Sequence, residues 1–108
     1  MNTYRGQFDN TNWYQVWMND EVFDPSRSQA VSNKSPDGFS FGFGGSGPSQ
    51  LALAILLEET DDKDWSLAHF QDFKRDFIAG LPCDPGETWT LHSEHIGQWI
   101  EEIKLAKC

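Results

Sequence analysis

The sequence predicts an α+β fold, a small and mostly antiparallel sheet packed by helices. Three observations carry this. Residues 4–43 are cut by turn residues into short segments that alternate apolar and polar, the period of strands. At Gly44 the pattern changes, and an unbroken apolar run, Leu51–Leu57, follows a glycine-rich loop. Two later segments place their apolar residues three and four apart, the period of helices. Strands gathered first and helices later is an α+β order. The length, 108 residues, fits a single domain spanning 1–108.

The first hairpin joins Tyr4–Phe8 to Trp13–Met18 across Asp9-Asn10-Thr11-Asn12, a cluster of turn-forming residues. In its second strand Trp13, Gln15 and Trp17 alternate with Tyr14, Val16 and Met18. Val22-Phe23 ends at Asp24-Pro25. Residues 26–34 are polar, with a candidate short strand around Ala30-Val31. Ser35-Pro36-Asp37-Gly38 is a turn, because Pro presets φ and Gly accepts a positive one. Phe39, Phe41 and Phe43 then alternate with Ser40 and Gly42, which predicts a strand over Phe39–Phe43 with one aromatic face.

Pro48 suits the first helical position, where its missing N–H costs nothing. The helix from Pro48 to about Glu59 is apolar nearly all round and is therefore expected in the core. Glu58–Asp64 reads as an acidic linker. A second helix runs from Asp64 to Ala79, with Leu67, Phe70, Phe73, Phe77 and Ile78 on one side, and Gly80 and Pro82 stop it. Thr88–Leu91 is a short strand. A last helix begins near Ser93 and buries Ile96, Trp99, Ile100 and Ile103, leaving Glu101, Glu102, Lys104 and Lys107 outside.

Composition excludes several functions. Hydrophobic residues make up 38% and aromatics 14%, enough to oppose disorder despite a mean hydropathy of -0.58. The formal charge is -9. That disfavours binding nucleic acid through phosphates or docking on an anionic membrane. The run Leu51–Leu57 is far shorter than the ~20 residues of a membrane span. The first residues, Met1 to Arg5, do not resemble a signal peptide. Cys83 and Cys108 have no framework spacing, so a cytoplasmic setting is expected.

The glycine loop is the best ligand-site candidate. Gly44, Gly45, Ser46 and Gly47 open a helix, whose N-terminal N–H groups attract anions. No Lys-Ser or Lys-Thr follows, so the loop is not a P-loop, and the spacing misses Gly-x-Gly-x-x-Gly. The structural alternative is that the glycines let a buried helix approach the sheet closely. Gln50 either contacts a ligand at the helix start or satisfies loop backbone.

His92-Ser93-Glu94-His95 and the two cysteines lack the close pairing of a zinc site, and no metal, cofactor or catalytic set is expected. Glu58, Glu59, Asp61, Asp62 and Asp64 form the densest acidic cluster. Asp72 and Asp76, four apart, extend it along one face of the second helix. Such a surface attracts basic protein surfaces, and it also simply keeps a small protein soluble. Trp13, Trp17 and Trp65 are the aromatics expected to be exposed.

The run Ser35-Pro36-Asp37-Gly38-Phe39 through Gly45-Ser46-Gly47-Pro48-Ser49-Gln50-Leu51-Ala52-Leu53-Ala54 resembles a family of small domains of unknown function, number 6166. Tyr4, Gly6, Phe73, Lys74 and Trp89 fit its layout. Phe41 stands where that family usually carries Trp, and Phe43 where Tyr is common, so an indole N–H and a phenol O–H are lost here. The resemblance implies occurrence in bacteria, phages and mobile elements, and it brings no activity.

Two functions follow as expectations. The first is a non-catalytic, acidic binding protein that inhibits a bacterial defence complex of the CRISPR type. Glu58, Glu59, Asp61, Asp62, Asp64, Asp72 and Asp76 would then meet basic residues of the nucleic-acid-handling partner. The alternative is an anion- or nucleotide-binding module built on Gly44, Gly45, Ser46, Gly47 and Gln50. A structural subunit of a larger assembly is a third, plainer option.

Overall fold

Turn residues and alternation do make strands at the N-terminus. The computed structural model describes residues 2–8 and 14–106. The predicted Asp9–Asn12 turn, Trp13, Lys107 and Cys108 lie outside the described residues. The elements in order are β1 (Thr3–Phe8), β2 (Tyr14–Met18), β3 (Glu21–Val22), α1 (Ser26–Val31), α2 (Ser46–Thr60) and α3 (Lys63–Phe73). A wide π-helical turn (Lys74–Ile78), β4 (Thr88–His92) and α4 (Ser93–Ala106) follow. The α+β class is as the sequence predicts.

Among the described residues the strands form one antiparallel sheet in the order β3-β2-β1-β4. Tyr4 pairs with Met18 and Leu91, Gly6 with Val16 and Trp89, and Phe8 with Tyr14. This register puts Tyr4, Val16 and Trp89 on the buried face. The opposite face carries Arg5, whose guanidinium lies 4.9 Å from the Trp17 ring. Trp17 is thus half-covered rather than free, and Trp65 is packed between His69 and Trp99.

Helix α2 occupies the core, with Leu51 through Leu57 all buried. An apolar run with no polar stripe can be satisfied only by neighbours on every side. Helices α1, α3 and α4 and the π-turn supply them. Among the described residues no helix is long and apolar enough to cross a membrane.

Three sequence expectations are corrected. Phe39–Phe43 is not a strand. It crosses the buried face of the sheet, with Phe41 edge-on to Tyr14 (5.0 Å) and Trp89 (5.2 Å). Gly42, at φ +85°, breaks the extended path there, and its N–H goes to the Ile78 carbonyl at the end of the π-turn rather than to a strand. Ala30-Val31 belongs to helix α1, anchored by the buried Ser28. The acidic linker is shorter than predicted: Glu58 and Glu59 form the last turn of α2, and Asp61-Asp62 alone join it to α3.

Candidate functional site

The seven carboxylates of the acidic cluster fall into different environments. Glu59 is engaged inside the fold. Its Oε2 accepts from Tyr4 Oη (2.7 Å), Ser93 Oγ (2.9 Å) and Asn2 Nδ2 (3.0 Å), which joins β1, α2 and α4. It is therefore removed from the surface set. Asp76 accepts from Trp99 Nε1 (2.8 Å) and Arg75 Nε (3.0 Å). The Arg75 bond, with help from Trp99, holds its carboxyl below the usual range against the opposing pull of burial. Asp72 pairs with Arg75 as well (3.2 Å). Glu58 and Asp61 bracket Arg27. Asp62 caps α3 by accepting from the Trp65 N–H (3.0 Å), yet stays exposed. Asp61, Asp62 and Asp64 thus stand outward at the α2–α3 corner. Their exposure follows from the left-handed turn at Asp61 (φ +50°), which ends α2 and swings the chain out.

The glycine loop is shaped chiefly by packing. A Cβ on Gly47 would lie 1.8 Å from Ser40 Oγ and 2.9 Å from Ser40 Cβ, so only glycine lets α2 begin this close to residue 40. The Ser49 hydroxyl turns back to the Gly45 carbonyl (2.8 Å). Gln50 is fully buried and fully bonded. Its Oε1 accepts from the N–H groups of Lys34 (2.7 Å) and Ser35 (2.9 Å), and its Nε2 donates to Ser28 Oγ and the Ser32 carbonyl. Of the two roles open to Gln50, these bonds are those of the amide that satisfies loop backbone. Gly44, Gly45 and Ser46 remain at the surface side of the loop.

Beside this loop the structure opens a cleft of about 700 Å³. Its walls include Tyr14, Val22, Phe39 and Phe43, with Asp37 and Ser46 among the polar lining. The sequence pointed to the loop but not to the cleft, which is assembled from β2, β3 and the 35–47 segment. One signal was present: three phenylalanines alternate over Phe39–Phe43, and only Phe41 is fully buried.

A family model described as a family of unknown function, DUF6166, matches residues 4–102. The chain belongs to the DUF6166 family. No curated protein and no solved structure matches it. In this DUF6166 chain the run that carries the resemblance, residues 35–54, supplies part of the cleft lining, the loop and the start of α2. Among the described residues no three His, Cys, Asp or Glu side chains come together as a metal set. His92 and His95 have ring centres 6.2 Å apart, and Cys83 lies against Gly42.

Proposed function

We propose that this chain is a small acidic binding protein of a phage or other mobile element. It acts without catalysis, in the host cytoplasm, by occupying a basic surface of a nucleic-acid-handling complex. Defence complexes of the CRISPR type are the first partners to test. The observation that carries this reading is the α2–α3 corner, where Asp61, Asp62 and Asp64 stand exposed on a chain of net charge -9. Carboxylates held outward at a helix corner attract Lys and Arg of a partner and speed association at low salt. The anion-binding alternative has less support, since Asp37 lines the cleft beside the glycine loop and would repel an anion.

The test is capture of host proteins on the tagged chain at low and high salt. The control is the triple variant Asp61→Asn, Asp62→Asn, Asp64→Asn. Asparagine still caps a helix, so α3 keeps its N-terminus. Glu59 is left intact because its loss would damage the fold. The expected result is a basic nucleic-acid-handling complex held at low salt, shed at high salt and absent from the variant. Equal capture by the variant would refute the corner as the docking surface.

A further inference from the structure

We propose that the Phe39–Phe43 cleft is a docking site for a basic peptide segment that carries an apolar anchor side chain. The apolar half of the argument is exposure. The large hydrophobic side chains left exposed among the described residues are Val22 (67%), Phe43 (45%) and Leu105 (69%). Of these, Phe43 lines the cleft with the half-buried Tyr14 and Phe39, whereas Val22 borders it at the sheet edge and, paired with Trp17, turns its side chain to the opposite face. Apolar side chains gathered around a concavity favour an apolar occupant, which gains the burial they lack.

The charge half concerns what surrounds it. Asp37 is in the lining and exposed. Asp24 lies between the lining residues Phe23 and Pro25, and Glu21 precedes the lining residue Val22. The Ser26 hydroxyl and N–H hold the Asp24 carboxyl below its usual range, so it is charged at neutral pH. The cations closest in sequence are turned elsewhere. Arg27 reaches Glu58 and Asp61, and the Lys34 ammonium sits 4.9 Å from the centre of the Phe70 ring. Among the described residues no Lys or Arg lines the cleft. A positive occupant is therefore favoured and a phosphate disfavoured.

The edge of the sheet makes a peptide the better occupant than a small molecule. Strand β3, which borders the cleft at Val22, is an edge strand. An extended segment pairing there would present alternate side chains to the cleft. This site is distinct from the acidic corner and does not depend on it.

The experiment is a titration of the isotope-labelled chain, followed by amide shifts. The probes are the capped peptide Lys-Trp-Lys-Leu-Lys, its Glu-Trp-Glu-Leu-Glu counterpart, and ATP. The lysine peptide is expected to move the amides of Val22, Gly38, Phe39, Phe43 and Gly47, and the other two probes are not. Phe43→Ala should weaken binding about tenfold, the usual effect of deleting an aromatic anchor contact. Asp37→Lys should weaken it as well. The corner variant Asp62→Asn, Asp64→Asn, which leaves the Arg27–Asp61 pair intact, should bind the peptide unchanged, which separates this site from the corner. Asp37→Lys, at an exposed position in the lining, carries the test if Phe43→Ala melts early. Absence of cleft shifts at millimolar lysine peptide, equal shifts with ATP or the glutamate peptide, or full binding by a folded Phe43→Ala chain would each overturn the proposal.

Discussion

Removing the Tyr4 hydroxyl is expected to destabilise the fold by about 2 kcal/mol. The Tyr4 ring is fully buried, and its hydroxyl donates to Glu59 Oε2 at 2.7 Å. A hydrogen bond to a charged acceptor contributes ~1.5–3 kcal/mol. Glu59 keeps Asn2 and Ser93 as donors in Tyr4→Phe, which places the loss toward the lower part of that range. Glu59→Ala should cost more, about 3–4 kcal/mol, because it also strands the buried hydroxyl without an acceptor. Asp64→Asn, at an exposed site, should stay within ~0.5 kcal/mol. Urea unfolding read by tryptophan fluorescence gives all three values, provided the slopes agree. The coupling between Tyr4 and Glu59 in a double-mutant cycle should reach at least ~1 kcal/mol.

The same hydroxyl gives a pH signature. Burial first, and then the hydrogen bond and charge of Glu59, push Tyr4 well above the ordinary tyrosine value of 10.0. The native state therefore keeps a proton that the unfolded chain releases. Stability falls as pH rises past 10.0, at up to ~1.4 kcal/mol per unit. Tyr4→Phe lacks this loss, so its penalty should shrink by about 1.4 kcal/mol by pH 11. A penalty below ~0.5 kcal/mol at neutral pH, or one that does not shrink in base, would refute the network as a structural clamp.

Gly47→Ala should cost about 1–3 kcal/mol, since the new methyl meets Ser40, while Gly44→Ala meets nothing within 4 Å and should be near neutral; paired thermal melts separate them. Gln50→Leu leaves the N–H groups of Lys34 and Ser35 without acceptors and should cost about 3 kcal/mol, with hydrogen-exchange protection lost first over residues 28–35. Asp76 is held below its usual range, so its contribution is present above the unfolded value of 3.8 and disappears as pH falls through the folded one. Acid titration of Trp99 fluorescence should show that step in the native chain and not in Asp76→Asn.

Much of the fold could be read from the sequence, because it depends on periodicity. Leu51–Leu57 had no polar side to offer water, and α2 is indeed the core. The alternation of Tyr14, Val16 and Met18 set the inward face of β2. The Phe39–Phe43 error has a plain cause. Alternation reports which way side chains point, not whether the backbone pairs, and a segment lying over a sheet alternates just as a strand does. Gly42 at positive φ was the residue that decided it. Helix α1 was illegible for another reason. It is held by long-range bonds, through Ser28 to Gln50, rather than by an apolar stripe of its own.

The acidic residues show the same divide between local and distant information. A count of charges cannot tell a carboxylate that clamps three elements from one that faces water. Glu59 and Asp64 lie five positions apart, yet one holds the fold together and the other leaves it untouched. With Glu59 bonded to Tyr4, Ser93 and Asn2 and Asp76 to Trp99 and Arg75, two of the remaining groups of negative charge are the α2–α3 corner and the rim of the aromatic cleft. Solubility alone would require neither a particular place for it nor cations drawn aside. Arg27 and Lys34 are nevertheless engaged by Glu58, Asp61 and the Phe70 ring. Reversing that arrangement tests whether it matters. Freeing Arg27 with Glu58→Gln and Asp61→Asn adds positive charge near α1 at little structural cost, since exposed ion pairs contribute ~0–1 kcal/mol. If the cleft selects cations through its surroundings, that variant should bind the lysine peptide more weakly while melting at almost the same temperature. Unchanged affinity would mean that Asp37, Asp24 and Glu21 set the preference by themselves.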